Sequence, residues 1–486
     1  MPNKPNILLI TADDLNWNSV GAYGCTTPAC TPNIDALAND GIRFDYAHVT
    51  IAVCQPSRGA LMTGRYPHKS GQEGFHYINH TTFPLLPEIL REAGYLNGIL
   101  GKAWHSTPRQ NFRWDLIEDM KELGWGRDCE LYHKFTKQFL DMSKNEDKPF
   151  FLMLNSHDPH RPFHGNDEGL KGKHGVSYPE PSRVYQDHEV EVPGFLPDIP
   201  DVRKEIAEYS SSIRRCDDTV GRVVDALKET GQYENTLIMF ISDNGMAFPL
   251  SKTNCYLHST KTPLIVTWPE VVRQSRVDED HFINGIDFLA TAVEAAGGDL
   301  PSEIDGKSFL NVIRGEADNS RTQVFTQFHE TAAGKRYPMR CVQDKEFGYI
   351  FNPWSDGERL FQNESQSGRT FKAMKAEGEN DSAIEKRVNL FEYRVVEELY
   401  DFKNDPDAKV NLISNPKYRE ELAKLQDSLE AWMIEHKDLA LEAFRNRHSK
   451  EALAKFMEEQ KAHREILCET GKNIPDGMEV FVKHVN

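Results

Sequence analysis

No apolar run in the 486 residues is long enough to cross a bilayer, which argues against a helical membrane span. A secretory leader is not visible either. The apolar run Ile7–Ile10 is short and soon meets Asp13 and Asp14, so it reads as a first β-strand and not as a signal peptide. The compartment expected is cytoplasmic, or periplasmic or lysosomal in type if a leader has been removed. Positive charge is in short supply: 57 Lys and Arg face 75 Asp and Glu, a formal net charge of −18. Such a chain is a poor general binder of nucleic acid or anionic membrane, and an anionic substrate would need cations supplied locally by the site. Cysteine pairs at CxxC spacing are missing. The eight cysteines (25, 30, 54, 129, 216, 255, 341 and 468) are scattered, and a chain of this size needs no disulfide framework, so most read as buried thiols. Repeats and low-complexity segments are lacking too, and the composition is that of a globular protein.

The length predicts one large domain and a smaller one, and the boundary is expected at residues 1–335 and 336–486. The first part alternates short β-branched or aromatic runs with amphipathic stretches, the pattern of an α/β domain with a largely parallel sheet. Four runs stand out: Asn6–Thr11, Asn97–Leu100, Pro149–Asn155 and Thr236–Ser242. Each is followed at once by chemically capable residues, namely Asp13 and Asp14, then Lys102 and His105, then His157, Asp158 and His160, then Asp243 and Asn244. Ligands of open α/β sheets bind beyond the carboxyl ends of the strands, so four such ends predict one site at one sheet edge. Helices are expected over Pro32–Asn39, with Thr31 as N-cap, and over Arg203–Gly231. Beyond 335, runs at Arg340–Val342, Gly348–Phe351 and Glu398–Tyr400 predict a small antiparallel sheet. An amphipathic helix over Lys417–His436 follows, then a charged surface helix over Lys437–His463 read as a solvated face.

Asp13, Asp14, Asp243 and Asn244 offer hard oxygen donors. Such a set suits Ca²⁺, or Mg²⁺, and not zinc. The remaining signal is Cys54-Gln55-Pro56-Ser57-Arg58, followed by Thr63-Gly64. This stretch resembles the signature of the type I, formylglycine-dependent sulfatases, Cys-x-Pro-Ser-Arg with Thr-Gly downstream. The resemblance implies that Cys54 is oxidised after synthesis to formylglycine by a formylglycine-generating or anaerobic sulfatase-maturating enzyme, and that it shares the metal with the four oxygen donors. A hydrated aldehyde carries two hydroxyls on one carbon: one attacks sulfur, and the other loses its proton and collapses to expel sulfate. Arg58 would lie in the first turn of a helix and pair with the nucleophile or sulfate oxygens. By the same resemblance Lys102, His105, His157 and Lys252 surround the sulfate, and His105 or His157 protonates the leaving atom. The chain departs from the usual Gly-Lys-x-His by one residue, at Gly101-Lys102-Ala103-Trp104-His105.

Further segments resemble one branch of the family, the N-sulfoglucosamine sulfohydrolases (heparan N-sulfatases, or sulfamidases). They are His157-Asp158-Pro159-His160-Arg161, the run from Ser242 to Asn254, the pair His329-Glu330, and Tyr337-Pro338-Met339-Arg340. Lys252 stands where that branch has arginine, and residues 360–389 look unlike it. The resemblance implies an alkaline phosphatase-like fold, a large mixed sheet flanked by helices with a smaller C-terminal α+β domain. The substrate it implies is the N-sulfate of glucosamine in a small heparan-type saccharide. Asp158, His329, Glu330 and Arg340 are the candidates for sugar recognition, although His329 and Glu330 could equally bond across the domain interface. An O-sulfatase acting on aryl, choline or carbohydrate esters, a phosphonate or phosphodiester hydrolase, and an inactive binding protein with unmodified Cys54 are the competing readings. No nucleic-acid or membrane partner is expected, and homodimerisation is left open.

Overall fold

The computed structural model describes residues 4–75, 81–106, 113–166 and 178–470. Fourteen strands lie in these residues, among them β1 (Asn6–Ala12), β2 (Ile42–Phe44), β3 (Ala47–His48), β4 (Leu96–Leu100), β5 (Leu116–Glu118), β6 (Phe150–Asn155) and β7 (Thr236–Ser242). They continue with β8 (Leu264–Thr267), β9 (Arg276–Asp278) and β10 (Ile283–Asn284). Eight of them form one sheet in the order β5-β4-β6-β1-β7-β8-β2-β9. From β5 to β7 every neighbour is parallel, whereas β8 runs antiparallel to both β7 and β2, so the sheet is mixed. The four runs expected as strands are β1, β4, β6 and β7, with ends agreeing to within a residue.

β1 is buried along its whole length, with Leu8 and Ile10 in one apolar cluster and Ile7 and Leu9 in another. Side chains of a strand alternate faces, so both faces of the sheet are covered. Helices α1 (Pro32–Asn39), α3 (Cys129–Glu146) and α4 (Pro200–Glu229) feed the first cluster, and α2 (Cys54–Thr63) and α5 (Asp287–Ala295) contribute to the second. α4 begins earlier than expected because Pro200 fits the first turn, where its missing N–H costs nothing. Thr31 occupies the N-cap position of α1 but makes no capping bond; its hydroxyl accepts the Gly21 N–H and donates to Asp35.

A second sheet is antiparallel, in the order β11 (Val324–Glu330), β12 (Arg336–Gln343), β13 (Phe347–Phe351) and β14 (Glu397–Asp401). α6 (Arg419–Glu435) packs on it through Leu425, Leu429, Trp432 and Met433, the helical spacing expected of an amphipathic helix. The β11–β12 hairpin straddles residue 335, so the sheet starts ahead of the change in sequence texture. β11 escaped the sequence reading because its polar residues Thr326, Gln327, His329 and Glu330 are buried along with its apolar ones. The last helix, α7 (Lys450–Thr470), is more than a solvated face: Leu453, Phe456, Met457 and Gln460 are buried. No helix among the described residues is long and apolar enough to cross a membrane.

Candidate active site

β1, β4, β6 and β7 are parallel, so their carboxyl ends open on one edge of the sheet, and there the expected residues converge. Thr11 and Asn155 pair across β1 and β6. Thr11 donates to Asn155 Oδ1 at 2.7 Å, and Arg58 Nη1 donates to both side chains at 2.5 Å. Asn155 Nδ2 in turn donates to the Gly101 carbonyl at 2.7 Å, tying in the end of β4. Gly101 has φ +71° there, and a Cβ on it would stand 2.4 Å from the Asn155 carbonyl oxygen. Lys102 and Asp14 also take the left-handed backbone region, at φ +50° and +67°. That conformation costs a residue with a Cβ on the order of 1 kcal/mol. It turns both side chains inward at the ends of their strands.

Cys54 is the first residue of α2, at the end of the helix where backbone N–H groups favour an anion. Its sulfur lies 3.3 Å from Asp13 Oδ1 and 3.9 Å from Asp14 Oδ1. Arg58 is fully buried in the same helix and pairs with Asp243 Oδ2 at 2.7 Å, not with the position of the nucleophile. Lys102 pairs with Asp13, and Lys252 Nζ lies 2.8 Å from Asp14 Oδ1. Asn244 Nδ2 donates to Asp14 Oδ1 at 2.7 Å, and the Asp14 N–H donates to Asp243 Oδ1 at 3.1 Å.

Three acids so close, and all fully buried, oppose one another. Burial pushes the Asp243 carboxyl up to about 7; Arg58 pulls against this, and Asp13 and Asp14 add to it. Asp13 goes the other way: burial would raise it, but Lys102, His160 and Arg58 hold it well below the usual carboxylate range. Burial, then Asp13, pushes the Cys54 thiol far up, so an unmodified cysteine here would be a poor nucleophile. Burial and the Lys102 charge push His105 down to about 3 and hold His157 well below its ordinary value. His157 Nε2 accepts the Lys102 N–H at 3.3 Å, whereas buried His105 Nδ1 has no hydrogen-bond partner among the described residues.

The donor set fits a hard cation. Asn244 Oδ1 is buried with no hydrogen-bond partner among the described residues, beside the crowded Asp13, Asp14 and Asp243. Ligand atoms of Asp13, Asp14, Cys54 and His160 also lie within 4.8 Å of one another. Oxygen donors predominate, which suits Ca²⁺ or Mg²⁺. Next to this cluster is a cavity of about 490 Å³ lined by Cys54, Phe75, His105, His160, Lys252 and Glu364, among others. Lys102, His105, His157 and His160 also line an adjoining cavity of about 460 Å³, walled by Trp104, Trp125 and Tyr178.

Four expected residues are elsewhere. Asp158 does not present itself to a sugar: it is buried and held by Arg127 and by Arg215, whose Nε is 2.6 Å away. Arg340 is buried against Asp438 at 2.6 Å. His329 and Glu330 are buried in a cluster with Glu73, Arg336, His463 and Arg464, which joins β11 and β12 to α7 and to the loop after Gly71. The ends of strands bring catalytic groups together, but these residues are spent on internal ion pairs. Conversely, Thr11, Asn155, His160 and Glu364 belong to the site. The first three stand at or just past strand ends and were legible by that rule. Glu364 sits on a short turn far along the chain and carries no motif.

A family model described as Sulfatase matches residues 5–298, and one described as N-sulphoglucosamine sulphohydrolase, C-terminal, matches residues 250–363. The chain is 30% identical over 464 residues to the N-sulphoglucosamine sulphohydrolase of Homo sapiens, covering 89% of this chain and 90% of that protein. It is also 30% identical over 448 residues to an ulvan-active sulfatase of Formosa agariphila, covering 90% and 82%. A solved structure in complex with its substrate D-glucosamine-2-N,6-O-disulfate superposes with a TM-score of 0.66 at 18% identity, covering 90% of this chain and 99% of that one.

Proposed function

This chain belongs to the sulfatase family, a hydrolase of sulfate esters or sulfamates with an alkaline phosphatase-like fold, and on that premise we propose that it removes the N-sulfate of glucosamine from a small heparan-type saccharide. The observation that carries the reading is Cys54 at the start of buried α2, flanked by Asp13 and Asp14 and facing a cavity with Lys252 and His105. The human relative, similar over nine-tenths of both chains, is named for this substrate.

In the proposed mechanism Cys54 is converted to formylglycine, and one hydroxyl of its hydrate attacks sulfur. Lys102, Lys252 and the α2 N-terminus stabilise the sulfate oxygens as charge builds on them. His105 is the residue placed to give a proton to the leaving nitrogen, since its ring reaches the cavity while His157 Nε2 is engaged by the Lys102 N–H; held down to about 3 without substrate, it takes up that proton only when the anionic sulfate lies beside it. Asp13, Asp14, Asp243 and Asn244 would hold a Ca²⁺ or Mg²⁺ ion. When bound, that ion supplies positive charge beside the nucleophile and the sulfate. Arg58 keeps Asp243 oriented through its buried pair.

The test is a side-by-side assay of matured enzyme on glucosamine N-sulfate, glucosamine 6-O-sulfate, nitrophenyl sulfate and a phosphodiester. Highest kcat/KM on the N-sulfate is expected. Preference for an O-sulfate would refute the sulfamidase assignment and leave a sulfatase, and preference for the phosphodiester would favour the phosphonate-type reading.

A further inference from the structure

We propose that Glu364 is the specificity-determining residue for nitrogen over oxygen at the scissile bond, an inference that rests on the N-sulfate reading above. The carboxylate lines the same cavity as Cys54, His105 and Lys252. Its Oε1 lies 2.5 Å from Lys252 Nζ, and its Oε2 lies 3.9 Å from His160 Nε2. It opens the short turn Glu364–Ser367, and that turn is pinned from two sides. Asn363 caps it by accepting from the Ser365 N–H at 3.1 Å, and Asn363 Nδ2 donates at 2.7 Å to Thr253, the neighbour of Lys252. The acid is therefore placed, not merely near.

A carboxylate in a pocket built for an anion repels the substrate unless it binds something the substrate carries. Holding Lys252 does not account for it, because Asp14 already pairs with that ammonium at 2.8 Å. A sulfamate supplies the missing partner. Its nitrogen carries a hydrogen, whereas the bridging oxygen of a sulfate ester carries only lone pairs. In hydrolysis the S–N bond breaks with its electrons staying on nitrogen, the new S–O bond forms from one hydroxyl of the formylglycine hydrate, the other hydroxyl loses its proton as sulfate leaves, and water rehydrates the aldehyde, so that over the cycle two protons from water end on nitrogen. The products are sulfate and an ammonium. Glu364 accepts the N–H in the substrate and faces the positive charge in the product. With an ester it faces an oxygen that offers no hydrogen, so binding leaves the acceptor unmatched.

The experiment measures kcat/KM on glucosamine N-sulfate and glucosamine 6-O-sulfate in single preparations of wild type, Glu364→Gln and Glu364→Ala. A ratio taken within one preparation does not depend on the fraction folded or matured. The N/O ratio is expected to fall by about 10–100-fold in both variants, through loss on the N-sulfate. An unchanged N/O ratio would overturn the inference alone: an equal fall on both substrates would make Glu364 a positioning residue for Lys252, and undiminished activity on both would leave it outside the reaction. A wild type without N-sulfate preference would overturn the inference together with the reading beneath it.

Discussion

Two buried clusters of charge, of similar size, do opposite things. At the sheet edge Asp13, Asp14 and Asp243 crowd one another, Asp243 is pushed up to about 7, and Asn244 Oδ1 is left without a hydrogen-bond partner. Beneath the second sheet, by contrast, Arg336 and His463 bond to the two oxygens of Glu73, Arg464 bonds to Glu330, and Arg340 takes both oxygens of Asp438. Each sheet-edge acid has a cation, Lys102, Lys252 or Arg58, yet the carboxylates still crowd one another beside a cavity, a mismatch that suits a ligand; the pairs of the second cluster are matched and join elements. Residue types alone do not separate the two, since each cluster mixes acids, arginine or lysine, and histidine.

The sharpest way to break the comparison is at the nucleophile. Cys54→Ala is expected to lower turnover by roughly 10⁴-fold or more while costing only about 1–2 kcal/mol of stability, because the change is small and the helix start is otherwise intact. Peptide mass spectrometry of active wild type should find formylglycine at position 54. Full activity from a preparation in which every Cys54 remains a thiol would defeat the mechanism. Next comes the cation. Exhaustive chelation should cost roughly 10²-fold or more in kcat/KM, restored by Ca²⁺ or Mg²⁺. Undiminished activity after chelation, or rescue by zinc alone, would show that the crowded acids serve another purpose.

The mismatched cluster is legible in the sequence and the matched one only in part, for a physical reason. Asp13, Lys102, His157 and Asp243 announce themselves because strand, turn and polar residue follow in immediate succession, and a parallel sheet must bring such ends to one edge. The resemblance to the sulfamidases puts His329, Glu330 and Arg340 at a sugar, with a bond across the domain interface as the alternative for His329 and Glu330, and the structure has both of these in internal pairs. Whether such a residue meets solvent depends on what covers it, and the covers are remote in sequence: Asp438 for Arg340, and Arg464 for Glu330. Glu364 is the converse case. Only the fold brings its turn to Lys252.

Arg340 separates the two kinds of cluster directly. Arg340→Met leaves Asp438 buried with only His68 at 3.8 Å and the Ala440 N–H as partners, which is expected to cost up to about 3–5 kcal/mol, read as a lower Tm and denaturation midpoint. Adding Asp438→Leu should recover much of that loss. The KM of the folded fraction for the sugar should stay within about twofold. A tenfold rise in KM without loss of stability would return Arg340 to the substrate and undo its assignment to the structural cluster.

The smallest effect expected is a pH dependence confined to the matched cluster. Burial alone would raise the Glu73 carboxyl, yet the charges around it hold it well below 4.5. Burial also keeps His329 well below its ordinary value, hence neutral near pH 7, so the His463 hydrogen bond at 3.2 Å and the Arg336 charge at 2.5 Å are what keep Glu73 ionised. A carboxyl whose pKa is lower folded than unfolded stabilises the fold above the unfolded value and loses that contribution as pH falls toward the folded one. Wild type should therefore exceed Glu73→Gln in stability most at neutral pH. The gap should narrow below about pH 4.5, at up to about 1.4 kcal/mol per pH unit, one proton's worth. Denaturant unfolding of both proteins between pH 7 and pH 3.5 reads the difference, in which carboxyls common to both cancel. A gap that stays constant across that range would mean that Glu73 contributes by packing and hydrogen bonding alone, and that charge matching is not what joins the second sheet to α7.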